Sequence, residues 1–406
     1  MPARVALLTG GGDKPYALGL AFALAAEGLA FDFIGSDDLD VPELRRLSGV
    51  RVLNLRGDMR PGAPAWRKAV RVLRYYLRLL AYAATAKAEV FHVLWNNKLE
   101  LFDRTLLLSC YKLLGKRVVF TVHNVNIRKR DGRDSVLNRG SLRIQYRLVD
   151  HLFVHTRLMA RELQDDFGVP GGKITVIPFG INNTVPVTPM TGGQARERLG
   201  LAPTDKAILF FGNIAKYKGL EHLVEAMPAV LTRFPEARLV IAGRPKGAEA
   251  YWADIERRIA DLKLQASVVT RIEYVPDEET EVYFKAADVL VLPYTHVYQS
   301  GVLFLGYNFG TPAIATDVGS LREEVVAGET GLICPAEDHT ALAHSIVGFF
   351  ASELFREREA ARDRIRAYAA KRYAWSEVAA LTTRVYGAVG APPRAGAGSP
   401  QDEVPR

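Results

Sequence analysis

The sequence predicts an α/β protein of two doubly wound domains facing each other across a cleft. Three observations predict it. A chain of 406 residues is long for a single core and suits two of about 200 residues each. Short runs of Val, Ile and Leu recur along its whole length, each followed by a helical stretch, the pattern of parallel sheets covered on both faces. The runs form two series, and the Pro-, Thr- and Gly-rich segment Gly180–Gly193 between them reads as a linker.

Each series is Rossmann-like. In the first, strands are expected at Arg4–Thr9, Phe31–Ile34, Arg51–Leu55, Val90–Leu94, Arg117–Val122, His151–His155 and Ile174–Pro178. In the second they fall at Ala207–Gly212, Arg238–Ala242, Val268–Tyr274, Val289–Pro293, Pro312–Ala315 and Gly331–Cys334. Asp338–Tyr373 and Ser376–Val389 read as helices, and the Pro-, Gly- and Ala-rich end has too little apolar surface to build a core. The expected organisation is a first domain over 1–185, a second over 195–370, a terminal helix over 371–390 near the domain junction and a disordered tail over 391–406.

Composition narrows the class. Apolar residues make up 49% of the chain and charged residues 24%, which suits a globular protein, and no apolar run approaches the roughly 20 residues of a bilayer span. The opening MPARVALLTGGG reads as a strand and a glycine turn rather than a signal peptide. Cys110 and Cys334 lie far apart and fit no metal spacing, so a reducing cytoplasmic setting is expected. Charge is uneven: residues 1–190 carry 28 Lys and Arg against 17 Asp and Glu, a balance of +11, and the remainder carries 25 against 28. The first half therefore suits an anionic partner.

The strand–loop–helix unit from Ile208 to Leu220 brings Gly212 to the carboxyl edge of the second sheet, where open α/β sheets bind ligands. Lys216 and Lys218 follow in the loop, and Gly219 enters a helix whose N-terminus favours anions, so a diphosphate is one guest and a solvated lysine pair the plain alternative. Ser300 and Gly301 fall where another helix begins, turning free N–H groups toward the same crevice.

These segments resemble the nucleotide-binding half of the family 4 glycosyltransferases of the GT-B fold. The pieces are Phe211-Gly-Asn213 with Lys218-Gly219, Ile241-Ala-Gly243, Val289-Leu-Val-Leu-Pro293, Ser300-Gly-Val302, Gly310-Thr-Pro-Ala-Ile-Ala-Thr-Asp-Val-Gly319 and Gly328-Glu-Thr-Gly331. The resemblance covers essentially all of 205–385, including a terminal helix with Trp375. It implies that Gly212, Asn213, Lys216 and Lys218 with the helix start at Ser300, Gly301 and Val302 hold a donor diphosphate, and that Tyr274 and Val275 hold the nucleobase. The family also carries two glutamates eight positions apart, one of which holds the donor ribose; here those positions are Val297 and Leu305. Asn213 stands where an arginine is usual, with Lys216 a candidate replacement.

The first domain matches the same family more loosely. Gly10-Gly-Gly-Asp-Lys-Pro15 joins the first strand to the first helix, and Gly11, Gly12 and Lys14 read as an acceptor or phosphate loop. It is not a dinucleotide fingerprint, because Pro15 stands where its third glycine would be. Asp13 reads as a general base or a polar turn residue. His123, in Thr121-Val-His-Asn-Val125, matches the histidine that in such enzymes reaches the transferred sugar; a capping or core histidine is the alternative. Residues 61–88 hold six Lys and Arg and no acid, and Arg67, Arg71, Arg74 and Arg78 form one stripe of a helix that also carries Trp66, Tyr75, Tyr76 and Leu77. A second basic cluster runs from Arg128 to Arg147. The stripe reads as a solvated face or as membrane-facing, and no nucleic-acid motif accompanies the charge.

The resemblance implies transfer of a hexosyl-type sugar from a nucleotide diphosphate-sugar, the co-substrate, to a lipid-linked or soluble glycan acceptor in cell-surface polysaccharide or glycolipid synthesis. No Asp-x-Asp pattern is read at a strand end, so neither a metal nor another cofactor is expected. A peripheral protein on the cytoplasmic face of an anionic membrane is expected. The alternatives are a nucleotide-sugar epimerase on the same fold and a catalytically silent scaffold that binds a nucleotide-sugar.

Overall fold

A computed structural model describes residues 4–58, 64–130, 134–180, 185–245 and 247–390 of the chain. Val5–Leu8, Phe31–Gly35, Val50–Asn54, Val90–Val93, Arg117–Val122, His151–Val154 and Ile174–Val176 form strands β1–β7. Lys206–Phe211, Ala237–Ala242, Val268–Arg271, Val289–Leu292, Ala313–Thr316 and Gly331–Cys334 form β8–β13. The first sheet runs β3-β2-β1-β4-β5-β6-β7 and the second β10-β9-β8-β11-β12-β13, with every described pairing parallel. Strand order reverses between β1 and β4 and between β8 and β11, and each reversal opens a crevice at the carboxyl ends of the strands. Central strands are buried on both faces, β1, β4 and β11 along their whole length, which accounts for their unbroken apolar runs.

The structure departs from the sequence reading at three places. The helix Gly192–Arg198 begins inside the expected linker, because Thr191 and Gln194 form a capping box. The expected helix Asp338–Tyr373 breaks into His339–Ala351, Glu353–Arg356 and Arg358–Arg372, with extended backbone at Ser352 (φ −81°, ψ 167°). Strand β10 ends at Arg271, so Tyr274 stands in the following loop. Residues 181–184 of the expected linker and the tail 391–406 lie outside the described residues.

The helix Trp375–Gly390 returns to the first domain. Val378, Ala379 and Tyr386 join the apolar cluster of β1, β2 and the helix Lys14–Ala26. Tyr386 reaches the centre of the first sheet, where its hydroxyl lies 2.5 Å from Nδ1 of His92, whose Nε2 meets the Thr121 hydroxyl at 2.7 Å. His92 is fully buried, and burial pushes its pKa down to about 3. It therefore folds neutral.

Below the unfolded pKa of about 6.5 the unfolded chain binds a proton that folded His92 refuses, so its share of stability is lost as pH falls toward 3. Replacing His92→Asn removes that proton. Thermal melts of both proteins are expected to show the gap at pH 7 narrowing below pH 6.5 by about 1.4 kcal/mol per pH unit. A constant gap would mean that His92 is protonated in the fold.

Candidate active site

The crevice at the β8/β11 reversal holds a cavity of about 280 Å³. Its floor is Phe211-Gly212-Asn213 at the end of β8, and Tyr274 and Val275 form one wall with Val302 and Leu305 on another helix. Lys218 sits in the short turn Lys216–Lys218, only 6% exposed. Gly219 turns the chain with φ +62°, and a Cβ there would lie 2.0 Å from the Pro293 carbonyl oxygen, so only glycine lets this loop press against the end of β11. That fit buries Lys218 with its Nζ 5.4 Å from the centre of the Tyr294 ring. Burial lowers its pKa, and among the described residues no carboxylate pairs with it. A buried ammonium on a cavity wall, with no paired carboxylate among the described residues, has the chemistry that suits an anion.

The helix Gly301–Asn308 starts beside this cavity. Ser300 does not cap it; its hydroxyl lies 3.4 Å from the Tyr294 hydroxyl, so the first N–H groups lack a side-chain acceptor. Of the expected donor residues, Gly212, Asn213, Lys218, Tyr274, Val275 and Val302 line one cavity. Lys216 is exposed outside its wall, as is Gly301, and Ser300 is buried behind it. Besides Lys218, the wall supplies the cation Arg244, which follows Gly243 at the end of β9 and lies 5.3 Å over the Tyr274 ring. Its position after the Ile241-Ala-Gly243 strand end was the available signal. Val297 is buried and Leu305 lines the cavity, whose acidic residues are Glu273, taken by Arg271, and Asp277.

In the first domain the glycine loop abuts side chains of the protein itself. A Cβ on Gly11 would fall 1.7 Å from Nη1 of Arg56, and one on Gly12 would fall 2.0 Å from the Trp95 indole. Gly11 and Gly12 nevertheless stay exposed. Lys14 opens the helix Lys14–Ala26 and is exposed, and Asp13 caps it, accepting from the Tyr16 N–H at 3.1 Å. Burial raises the Asp13 pKa, the Tyr16 hydrogen bond opposes this, and the charge of Asp277 adds to it from across the cleft.

His123 stacks on Trp95 with ring centres 4.1 Å apart and planes within 3°. Its Nδ1 lies 3.2 Å from Nε2 of His155, and His155 Nδ1 lies 3.4 Å from the Ile177 carbonyl oxygen. The carbonyl can only accept, so this chain assigns a proton to Nδ1 of each ring and leaves His123 Nε2 a bare lone pair. That atom is buried with no hydrogen-bond partner among the described residues. Burial holds the His123 pKa well below the usual histidine range, and nearby His155 adds to the effect.

The helix Ala65–Thr85 sorts its stripe in space. Tyr75, Tyr76 and Leu79 pack into the core, so the two tyrosines face inward and away from any membrane. Outside, Trp66, Val70, Leu73 and Leu77 are exposed by 64, 56, 61 and 60%. Arg67, Arg71, Arg74 and Arg78 run beside this ridge and with Arg56 line a hollow of about 260 Å³ whose one acidic residue is Asp58. In the second basic cluster Arg139 pairs with Asp134 at 2.5 Å and Arg128 with Glu100 at 3.3 Å, while residues 131–133 lie outside the described residues. The Asp-x-Asp pattern Asp38-Leu-Asp40 does lie in the turn after β2, where Asp40 pairs with Arg45 at 2.5 Å. Among the described residues no three His, Cys, Asp or Glu side chains gather to hold a metal.

Two family models match in tandem: Glycosyltransferase Family 4 over residues 10–185 and Glycosyl transferases group 1 over residues 205–352. The chain is a family 4-like glycosyltransferase of the GT-B fold. It is therefore an enzyme that transfers sugars. It is 28% identical to the D-inositol 3-phosphate glycosyltransferase of Pseudarthrobacter chlorophenolicus over 69% of this chain and 67% of that one. Its matches span about half to two thirds of the length of such relatives. The sucrose-phosphate synthase of Thermosynechococcus elongatus shares the fold at TM-score 0.73 and 22% identity, covering 95% of this chain and 98% of that one. Anabaena HepE in complex with UDP and glucose does so at TM-score 0.72 and 15% identity, covering 96% and 100%.

For this glycosyltransferase the burial of Lys218 has a measurable cost. Its folded pKa is lowered, so the penalty is present at neutral pH and fades as pH rises toward the unfolded value of 10.5. Lys218→Met should melt, without ligand, at or above the temperature of the parent, by up to about 3 kcal/mol of added stability at neutral pH. A markedly less stable variant would make Lys218 a structural residue.

Proposed function

We propose that the enzyme moves a hexosyl-type sugar from a nucleoside diphosphate-sugar, bound in the second domain, to a membrane-associated acceptor presented by the first, without a metal ion. The observation that carries this reading is the buried, acid-free Lys218 in the cavity at the β8/β11 reversal. A diphosphate there meets the Lys218 ammonium and the free N–H groups at the start of the helix Gly301–Asn308. The base lies along Tyr274 and Val275 beside Arg244, and Asp277 takes the ribose hydroxyls in place of the glutamates. As the sugar–oxygen bond breaks, negative charge gathers on the leaving diphosphate, and these preorganised groups stabilise it. The acceptor hydroxyl approaches near Asp13 and His123. Asp13, with its raised pKa, receives the proton, and neutral His123 orients the sugar.

The acceptor side rests on the helix Ala65–Thr85. An exposed apolar ridge beside an arginine row is the arrangement of a helix lying in a membrane interface, and no described helix is long and apolar enough to cross one. The guanidinium hollow beside Arg56 suits an acceptor phosphate, and one relative named above is a D-inositol 3-phosphate glycosyltransferase. In this reading the enzyme works attached to the cytoplasmic face of an anionic membrane.

Lys218→Ala is expected to weaken UDP binding by about 1.5–3 kcal/mol, the worth of a charge-assisted hydrogen bond. Calorimetric titration showing parental affinity would remove the phosphate site. Transfer is expected to survive EDTA; complete loss restored by magnesium or manganese would sink the metal-free mechanism. Flotation with anionic vesicles should capture the parent and, at about 1 kcal/mol per basic residue, release a variant with Arg67, Arg71, Arg74 and Arg78 neutralised. Equal binding of the two would make the stripe an ordinary solvated face.

A further inference from the structure

A cavity of about 570 Å³, about twice the volume of the one beside Lys218, belongs to neither crevice. It falls within the roughly 300–1,000 Å³ at which proteins take small molecules. Arg4, Ala30 and Gly49, the residues immediately before β1, β2 and β3, line it. It therefore opens at the amino ends of the strands, whereas the crevices lie at their carboxyl ends. Its origin is topological. Strand β3 is the edge of the first sheet, and the helix Ala65–Thr85 leads away from it to β4, on the far side of β1. The outer corner of the sheet is left partly uncovered, and Leu53 and Leu55 there are only half-buried.

The groove has an apolar floor and a cationic rim. Val5, Phe31, Leu53 and Leu55 supply the floor. Asp32, the acid in the wall, is already held: Arg51 donates to it from Nε at 2.8 Å and from Nη2 at 2.5 Å, and the Tyr82 hydroxyl donates at 2.6 Å. The carbonyls beyond the end of the helix are also satisfied, because Lys116 donates to those of Ala86 and Ala88 at 2.8 and 2.9 Å. Arg4 and Lys87 remain. Both are exposed, and among the described residues neither pairs with a carboxylate. The N–H groups of Glu89 and Val90 both bond the Arg4 carbonyl, at 2.8 and 3.1 Å. These bonds draw the turn that carries Lys87 against the start of β1 and set the two cations on one rim, while Glu89 stays out of the wall.

A neutral apolar guest would leave that rim unanswered, and inorganic phosphate would leave the floor in water. An anion with an apolar body satisfies both. We propose that this groove is a binding site for an anionic amphiphile, whose charged group meets Arg4 and Lys87 while its apolar body covers Leu53 and Leu55. The site is distinct from the donor and acceptor crevices, and its occupant binds alongside either substrate. A soluble acid with an apolar body and an anionic lipid monomer share this chemistry.

Calorimetric titration of the full chain with hexyl phosphate tests the site, against inorganic phosphate and hexyl glucoside. The host is the variant with Arg67, Arg71, Arg74 and Arg78 neutralised, which removes the competing guanidinium hollow. Hexyl phosphate is expected to bind it at least tenfold more tightly than either comparison compound. Adding Arg4→Gln and Lys87→Gln should weaken that binding about tenfold, as two exposed ion pairs would give, and Lys87→Glu alone should act in the same direction. Raised salt should weaken it too. Thermal melts and an unchanged UDP affinity check that the rim variants fold. Dihexanoylphosphatidylglycerol separates the sources: tighter binding than hexyl phosphate identifies a lipid, and weaker binding a soluble acid. Absence of hexyl phosphate binding, equal binding of either comparison compound, or undiminished affinity in the rim variants would each overturn the site.

Discussion

Tyr16 packs against five rings drawn from distant parts of the chain, edge-on to Trp95 at 5.6 Å, His123 at 4.8 Å, His155 at 5.5 Å and Trp375 at 5.3 Å, and tilted against Phe179 at 5.3 Å. Phe179 stacks in turn on Phe304 of the second domain, and Phe304 meets Tyr373 at 4.7 Å. Each such pair is worth about 0.5–1.5 kcal/mol beyond the area it buries. The seam ties the first helix, the ends of β4, β5 and β6, the linker, the donor-side helix and the terminal helix into one contact. Gly19 and Gly180 lie where any Cβ would strike Trp375, so the indole reaches the seam between two backbones. Tyr298 adds a second bridge, its hydroxyl donating to Glu162 at 3.1 Å and accepting from the Asn126 N–H at 3.4 Å.

Desolvation is the common currency of the chemistry at this seam. His92, His123 and His155 all lie where burial lowers their pKa, the last to about 4, so the sheet edge presents neutral rings at physiological pH. Asp13 moves in the opposite sense: desolvation of its carboxyl in the cleft raises its pKa, although the residue keeps an exposed edge. On the far side of the cleft Lys218 is buried, and among the described residues no carboxylate pairs with it. In the proposed function that burial strengthens its attraction for a diphosphate.

Much of the architecture was legible because a strand buried on both faces has to be written as a continuous apolar run. All thirteen expected strands are present, most with ends displaced by one or two residues. That residues around Gly212 and Lys218 share one cavity was legible for a related reason, since a strand end, a turn and a helix start are local. Arg244 was not, because β8 and β9 come together only in the sheet. The Gly10–Gly12 loop carried an ambiguous signal: glycine marks close approach, and the approaching atoms prove to be Arg56 and Trp95. In the helix Ala65–Thr85 the periodicity marked an arginine stripe, yet which aromatics face inward depended on what packs beneath.

By itself the sequence determined the two-sheet α/β architecture, the direction of its strands and the loops that reach their carboxyl ends, because hydrophobic periodicity and turn chemistry act over a few residues. Only the tertiary structure decided which side chains from distant segments share a cavity, which charges are neutralised and which are left bare. Arg104 and Lys218 are both basic residues in the sequence, yet one is buried against Glu100 and the other against a tyrosine ring. Their charges act differently because burial and partners are set by residues that the chain brings together from far away.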